Sequence, residues 1–230
     1  MTLTNDTLRA TLGDKAKRIE QIGGQVLIQG DCRDIIGGLS FDAILTDPPY
    51  GIGINKSNRL SVSRGFGGED WDNEAADMSW SVASGVPAII WGGNYFDLPA
   101  HRAPLVWDKN NAGRDFADFE LAWTNLDMVA RRFVFRPMNM DGGKVHPTQK
   151  PVALMEWCLG FIPDAQIVLD AYAGSGSTAV ACVNMDRQSI CIERTGRHFE
   201  TMCKRVDEAT RQPRLFSEPK PKPHQEGMDI

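Results

Sequence analysis

The stretch that decides the fold runs from Gln166 to Glu193 and reads QIVLDAYAGSGSTAVACVNMDRQSICIE. It predicts a buried strand, a turn of small residues, an apolar helix and a second buried strand. A helix that opens at Pro151 (PVALMEWCLGFI) precedes it, and another (HFETMCKRVDEAT) follows it. Proline suits the first helical position, where its missing N–H costs nothing. This series of helices and strands predicts a doubly wound α/β sheet, mostly parallel.

The first half of the chain adds strands to the same sheet. Near-continuous apolar runs with β-branched residues predict buried parallel strands at 25–29 (QVLIQ), at 41–46 (FDAILT), and in PAIIWGG and PLVWDK. The runs FELAWTN and RRFVFR alternate better and predict an antiparallel pair at the far edge. Residues 51–77 are rich in Gly, Ser, Asn and charge, which predicts a long exposed loop, and a helix is expected before Pro87.

Length and composition bound the class of protein. The chain has 230 residues and a net charge of -5, enough for one substantial core. We expect a single domain over 1–211 and a Pro- and Lys-rich, disordered tail over 212–230. No apolar run approaches the ~18 residues of a membrane span, so a cytoplasmic protein is the expectation. The five cysteines and four histidines are not spaced like metal ligands, and we expect reduced thiols and no metal.

The glycine-rich turn predicts a nucleoside pocket. Small residues between a buried strand and a helix let a ligand approach the backbone closely. Glu193 follows the glycines by about 20 residues, the spacing at which a carboxylate accepts hydrogen bonds from ribose hydroxyls. A purely structural tight turn is the alternative. The phosphate-binding spacings are missing, so S-adenosylmethionine fits better than a nucleotide. The candidate cofactor-binding residues here are Asp170, Tyr172, Ala173, Gly174, Ser175, Gly176, Ser177, Thr178 and Glu193.

The motif TDPPYGIG follows an apolar strand and predicts the catalytic site. Pro49 holds Pro48 extended, so the Pro48 carbonyl and the Asp47 carboxylate form two fixed acceptors. Two acceptors suit an exocyclic amino group, whose lone pair they would localise towards an incoming methyl group. Tyr50 offers a flat face for a flipped base. The alternative is a proline-rich turn with a helix-capping aspartate.

These motifs together resemble a known family. Asp47-Pro-Pro-Tyr50, then His146-Pro-Thr-Gln-Lys-Pro151, then Asp170-Ala-Tyr-Ala-Gly-Ser-Gly-Ser-Thr178 resemble, in that order, the amino-methylating DNA methyltransferases of the circularly permuted beta class. The resemblance implies S-adenosylmethionine as cofactor and a Rossmann-like, seven-stranded sheet with one reversed edge strand.

The resemblance implies further site residues. Asp31, beside Cys32, matches the segment that contacts the cofactor's adenine, although Asp31 could equally cap the next helix. Thr148 and Lys150 match the segment where the cofactor's carboxylate would be held. Trp107-Asp108-Lys109 and the FELAW strand resemble the wall of the target-base pocket, and a surface ion pair is the alternative for Lys109.

The Asp-Pro-Pro-Tyr form implies adenine N6 in DNA as substrate, more often than cytosine N4. Target recognition is expected within 51–77 and 124–145. The second segment is short for a recognition domain, which favours a short or permissive target site. A restriction-modification system is one expected setting for such an enzyme. The candidate DNA contacts are Lys56, Arg59, Arg64, Lys109, Arg131, Arg132 and Arg136, with a solvated basic face as the alternative.

Other partners and activities stay open at this point. The tail segment Gln212 to Phe216 (QPRLF) resembles the peptide by which bacterial proteins dock on the replication sliding clamp. RNA adenine or a protein side-chain amide presents the same two-donor nitrogen. A binding protein without catalysis is the rival from another class. We expect a monomer or a homodimer.

Overall fold

The computed structural model describes residues 4–52, 74–111, 117–137 and 149–212. Lys56, Arg59, Arg64, Thr148 and the tail beyond 212 therefore lie outside the described residues, as does most of the 51–77 loop. Across the described ranges, no helix has the length and apolar character needed to cross a membrane. In the same ranges no group of three or more His, Cys, Asp or Glu side chains could hold a metal ion. All five cysteines are free thiols.

The described residues form one sheet of nine strands in the order β1-β2-β9-β8-β3-β4-β6-β5-β7. The strands are β1 Ala16–Ile22, β2 Gln25–Gly30, β3 Ala43–Thr46, β4 Ala88–Trp91, β5 Leu105–Asp108, β6 Phe119–Thr124, β7 Arg131–Val134, β8 Ile167–Asp170 and β9 Gln188–Glu193. The helices are α1 Asn5–Leu12, α2 Cys32–Ile35, α3 Ser79–Ala83, α4 Val152–Leu159, α5 Ser177–Asn184 and α6 Gly196–Arg211.

The predicted α/β class and mostly parallel sheet are confirmed. Strands β2, β9, β8, β3 and β4 run parallel, and β1 runs antiparallel to β2 at one edge. A second reversed strand, β6, lies inside the sheet between β4 and β5. The sheet thus has two more strands than expected, and the circular permutation stays a prediction.

The predicted antiparallel pair of FELAWTN and RRFVFR is wrong. Both edges of β6 are occupied, by β4 and β5, so β7 adds instead to the free edge of β5 and runs parallel to it. The helix expected before Pro87 is present as α3. Pro151 was expected in the first turn of α4 and is its N-cap residue, one position earlier. The missed elements are α1 and β1. The hairpin of β1 and β2 turns at Gly23 and Gly24, which both have positive φ.

Helices cover the sheet on both faces. Because successive side chains of a strand point to opposite faces, Ile44 joins one buried cluster, with Leu8 and Ile35 from α1 and α2. Its neighbour Leu45 joins the other, with Leu154 from α4 and Cys182 from α5. Because the parallel strands run in one direction, their carboxyl ends lie at one edge of the sheet. The amino end of the reversed strand β6 lies at the same edge.

Candidate functional site

A cavity of about 610 Å³ lies at the carboxyl edge of the parallel strands. Open α/β sheets bind ligands at this edge. Of the predicted catalytic and cofactor residues, its lining includes Asp31, Cys32, Asp47, Pro49, Lys150, Asp170, Tyr172, Ala173, Gly174, Ser175, Ser177, Thr178 and Glu193. Asp47 and Pro49 of the predicted catalytic motif thus share one cavity with the predicted nucleoside motif, although the two motifs are more than a hundred residues apart in sequence. Pro48, Tyr50 and Gly176 are not among the lining residues.

The turn after β8 is shaped by its glycines. Gly174 and Gly176 both have positive φ, which favours glycine. A side chain on Gly176 would also collide with α6, since a Cβ there would lie 2.6 Å from Met202 Cγ. Close packing of α6 against the turn therefore requires glycine at this position.

Arg205 of α6 holds the same turn, and no motif in the sequence predicts this role. Its guanidinium donates to the Ser175 carbonyl at 2.6 Å and to the Ser175 hydroxyl at 3.0 Å. Burial lowers the pKa of Arg205 below its ordinary value. Ser177 connects this turn to the catalytic end, because its hydroxyl donates to the Lys150 carbonyl at 2.8 Å.

Asp170 and Glu193 form the acidic walls of the nucleoside end. Asp170 accepts from the Thr46 hydroxyl at 2.8 Å and from the Tyr172 N–H at 3.1 Å. Burial raises the pKa of Asp170 to about 6. Glu193 accepts from the Gly174 N–H at 2.9 Å and from the Thr195 N–H. Burial raises the pKa of Glu193 to about 7.

Asp31 caps α2, the alternative that the sequence left open. It accepts from the Arg33 N–H at 3.1 Å and forms an ion pair with the Arg33 guanidinium. Hydrogen bonding to Arg33 lowers the pKa of Asp31. Burial raises the pKa of the adjacent Cys32 thiol, which lies near Tyr172. Asp31 also lines the cavity, so it could cap α2 and contact adenine at the same time. The contact with adenine stays a prediction.

The residues at this nucleoside end fit S-adenosylmethionine. Glu193 keeps acceptor capacity for hydroxyl groups, because each of its oxygens takes only one of the N–H bonds described above. Ala173 and Ile192 supply apolar wall. The cavity also continues from Glu193 to Asp47, which is the path that a nucleoside with a long sulfonium substituent needs.

At the catalytic end, Asp47 is bound by two side chains. The Tyr50 hydroxyl donates to Asp47 Oδ1 at 2.6 Å, and Lys150 Nζ donates to Oδ2 at 2.5 Å. Burial raises the pKa of Asp47 above its ordinary value, and the Lys150 ammonium opposes that rise. The Asp47 side chain is still 23% exposed and lines the cavity.

The prolines place their carbonyls differently. The Pro49 carbonyl accepts from the Ala76 N–H at 3.1 Å, and Tyr50 forms a bridge with Ala75. Within the described residues no donor contacts the Pro48 carbonyl. Its role as a second acceptor beside Asp47 stays a prediction.

One face of the Tyr50 ring is covered in this structure. The ring stacks on Tyr95 with centroids 4.9 Å apart and an interplanar angle of 16°, and Phe96 meets it edge-on. Gly92 also lies against the ring, since a Cβ there would be 2.0 Å from Tyr50 Cε1. The packing of Tyr50 therefore requires glycine at position 92, whereas Gly93 lies against Trp123.

Lys150 also contacts a second carboxylate, Glu120, which lies in the FELAW strand expected to form the wall of the target-base pocket but was not itself predicted as a site residue. Lys150 Nζ lies 3.0 Å from Glu120 Oε2, and Lys109 Nζ lies 2.5 Å from Glu120 Oε1. Burial favours the neutral lysine, but Asp47 and Glu120 outweigh it and hold the pKa of Lys150 well above its ordinary value. Lys150 and Lys109 lower the pKa of Glu120 to about 2 despite its burial.

The predicted DNA contacts divide into two groups. Lys109 is paired with Glu120 and only 15% exposed, so its ammonium belongs to the catalytic end. Arg131, Arg132 and Arg136 are exposed on and after the edge strand β7. Arg132 lies 3.5 Å from Asp108. These arginines form a surface separate from the cavity lining, and DNA contact there stays a prediction.

Comparison with known proteins gives the family. A family model described as DNA methylase matches residues 119–204. Type II methyltransferase M2.MboI of Moraxella bovis is 38% identical over a 245-residue alignment that covers 80% of this chain and 88% of the relative. The structure of the PvuII cytosine-N4-specific DNA methyltransferase has a TM-score of 0.55 at 12% identity, over 84% of this chain and 89% of that one.

A further solved structure, M1.HpyAVI in complex with SAM, has a TM-score of 0.50 at 23% identity and covers 79% of this chain and 98% of that chain. At these identities the structural matches show the fold. The likeness to M2.MboI extends over most of both sequences. The chain therefore belongs to the family of S-adenosylmethionine-dependent DNA methyltransferases that modify exocyclic amino groups.

Proposed function

We propose that this protein transfers a methyl group to the N6 amino group of adenine in DNA. The observation that carries the proposal is the Asp47 carboxylate, which accepts from the Tyr50 hydroxyl and lines the same cavity as Glu193. The Asp-Pro-Pro-Tyr form of the motif supports adenine over cytosine. The relative M2.MboI is named a type II methyltransferase, which supports methylation of a short DNA site.

Asp47 and Pro48 prepare the amino nitrogen for reaction. The nitrogen's lone pair is delocalised into the purine ring, so the free amine is a poor nucleophile. When Asp47 and the Pro48 carbonyl accept its two N–H bonds, the lone pair is localised on nitrogen and turned away from both acceptors. S-adenosylmethionine supplies an electrophilic methyl group on sulfonium. As the N–C bond forms, the S–C bond of the sulfonium would break and S-adenosylhomocysteine would leave, and Asp47 would take the proton that the amino nitrogen loses, through the N–H from which it already accepts a hydrogen bond.

Glu193 and the glycine turn hold the other substrate. The Glu193 carboxylate accepts from ribose hydroxyls, and Gly174 lets the backbone approach the ligand closely. Asp170 supports the turn from within, because it binds both the Tyr172 N–H and the Thr46 hydroxyl. Thr46 immediately precedes Asp47, so the same hydrogen bond ties the cofactor turn to the catalytic strand.

Nucleoside analysis tests the proposal directly. Purified protein is incubated with unmethylated DNA, and in parallel with RNA, in the presence of methyl-labelled S-adenosylmethionine. We expect labelled N6-methyldeoxyadenosine after digestion and mass spectrometry. Labelled N4-methyldeoxycytidine alone would overturn the choice of adenine, and label in RNA alone would overturn the choice of DNA. Sequencing of methylated positions then gives the target site.

A further inference from the structure

Glu120 lies at the start of β6, the reversed strand inside the sheet. Its neighbours β4 and β5 end at the cavity edge, whereas β6 begins there. Because β6 is reversed, Glu120 near its amino end lies beside the catalytic end of the cavity. Glu120 is not part of the cavity lining, and its ion-pair partner among the lining residues is Lys150.

Lys150 is shared between two carboxylates. Its ammonium lies 2.5 Å from Asp47 Oδ2 and 3.0 Å from Glu120 Oε2. The Tyr50 hydroxyl is 3.2 Å from the same ammonium. Only 5% of the Lys150 side chain is exposed, so solvent does little to screen these interactions.

The charges at this end balance in pairs. Lys109 supplies a second cation to Glu120 Oε1, which gives two carboxylates and two ammonium groups. Without Glu120, the Lys150 ammonium would form an ion pair with Asp47 alone and would compensate more of the negative charge on the Asp47 carboxylate. A carboxylate whose charge is compensated in this way is a weaker acceptor for hydrogen bonds from an incoming amino group.

We propose that Glu120 is a positioning residue for methyl transfer: it holds the Lys150 ammonium between two carboxylates, so that Asp47 stays oriented by Lys150 yet remains available to the substrate's amino group. This inference rests on the proposed function. It assigns to Lys150 a role at Asp47, and Glu120 acts entirely through that lysine.

The first variant is Glu120→Gln, which removes the charge and keeps the shape. We expect kcat on unmethylated DNA to fall by about tenfold to a hundredfold, with KM for S-adenosylmethionine changed less than about threefold because Glu120 does not line the cavity. Glu156→Gln is the matched control. Its carboxylate accepts from Asn184 on the outside of α4 and α5, and its kcat should equal that of the wild type.

A double-mutant cycle with Lys150→Met separates positioning from structure. Once Lys150 is gone, Glu120 has no ammonium to hold at Asp47, so adding Glu120→Gln should cost no further activity. Rates are expressed per folded site, titrated calorimetrically with S-adenosylhomocysteine, so that a loss of folded protein does not enter the comparison.

Three outcomes overturn the inference: full activity in Glu120→Gln, an equal loss from Glu120→Gln with and without Lys150, or a change in KM for the cofactor with kcat preserved. In each of these cases the wild type is still active. A wild type that methylates no DNA instead removes the proposed function itself, so the two failures are distinguishable.

Discussion

The two ends of the cavity hold their carboxylates by different means. At the catalytic end, Asp47 is bound by the hydroxyl of Tyr50 and the ammonium of Lys150. At the nucleoside end, Asp170 and Glu193 accept from backbone N–H groups and from the Thr46 hydroxyl. In the described part of the chain, neither of these two carboxylates has a lysine or arginine ion-pair partner.

This difference determines how each end responds to protons. Burial raises the pKa of Asp170 to about 6 and that of Glu193 to about 7, because backbone dipoles only partly replace lost hydration. At the catalytic end, paired lysines hold Glu120 ionised. The nucleoside end therefore holds carboxylates of raised pKa that suit hydroxyl donors, whereas at the catalytic end the Lys150 ammonium opposes the rise that burial causes in the pKa of Asp47.

The largest expected effect breaks the catalytic end alone. Asp47→Asn replaces an acceptor by an amide of the same shape, and methyl transfer to DNA should fall by about 10³-fold. Calorimetry should show S-adenosylmethionine bound within about threefold of the wild-type affinity, since the nucleoside end is untouched. Unchanged methyl transfer would show that Asp47 is not the acceptor for the amino group, and the protein would then need another one.

The second prediction breaks the nucleoside end. Glu193→Gln should weaken S-adenosylmethionine binding by roughly 10- to 100-fold, because a hydrogen bond to a charged acceptor contributes about 1.5–3 kcal/mol. Calorimetric titration measures the change, and kcat at saturating cofactor should remain close to that of the wild type. A loss of kcat with intact binding would place Glu193 in the reaction instead.

The pH dependence of cofactor affinity sharpens the same comparison. The ionised carboxylate of Glu193 is the better acceptor, and its pKa is raised to about 7. Wild-type affinity should therefore be highest above pH 7 and should fall as the pH drops from about 8 to about 6. Glu193→Gln has no such group, so its affinity should change less over this range, and an equal pH slope in both proteins would contradict the assignment.

Local sequence patterns account for most of the fold and for both motifs. The apolar runs at 25–29 and 41–46 and the glycine turn after β8 each depend on neighbouring residues, so the sequence predicts them directly. Glu120 and Arg205 could not be predicted, because their roles come from contacts with distant segments. Strand β1 was missed because it is an edge strand whose mixed pattern, AKRIEQI, buries only Ala16 and Ile19.

The prediction that β7 pairs with β6 was wrong for a related reason. Alternation in FELAWTN and RRFVFR identified two strands, but pairing depends on which edges are already occupied. The core position of β6, between β4 and β5, is a property of the whole sheet. That same position carries Glu120 to the catalytic end, so the topological error and the missed site residue have one cause.

Arg205 tests how the nucleoside turn is supported. Arg205→Met keeps the length of the side chain and removes the donors to the Ser175 carbonyl and hydroxyl. Because the turn would lose its anchor to α6, we expect affinity for S-adenosylmethionine to fall by about 3- to 10-fold. Arg197→Met, also on α6, is a matched control that should leave affinity unchanged. Equal losses in both variants would point to a general effect on α6.

The smallest effect concerns the aromatic cover of the catalytic end. Tyr95 is 45% exposed and stacks on Tyr50, and such a pair contributes about 0.5–1.5 kcal/mol beyond burial. If Tyr95 supports Tyr50 in its bond to Asp47, Tyr95→Ala should lower kcat/KM for DNA by about 2- to 10-fold, and Tyr95→Phe, which keeps the ring, should change nothing. A faster Tyr95→Ala enzyme would contradict support and show that the base must displace Tyr95. The sign of this small effect therefore decides whether the stacked pair is the working arrangement of the catalytic end or the arrangement that the substrate replaces.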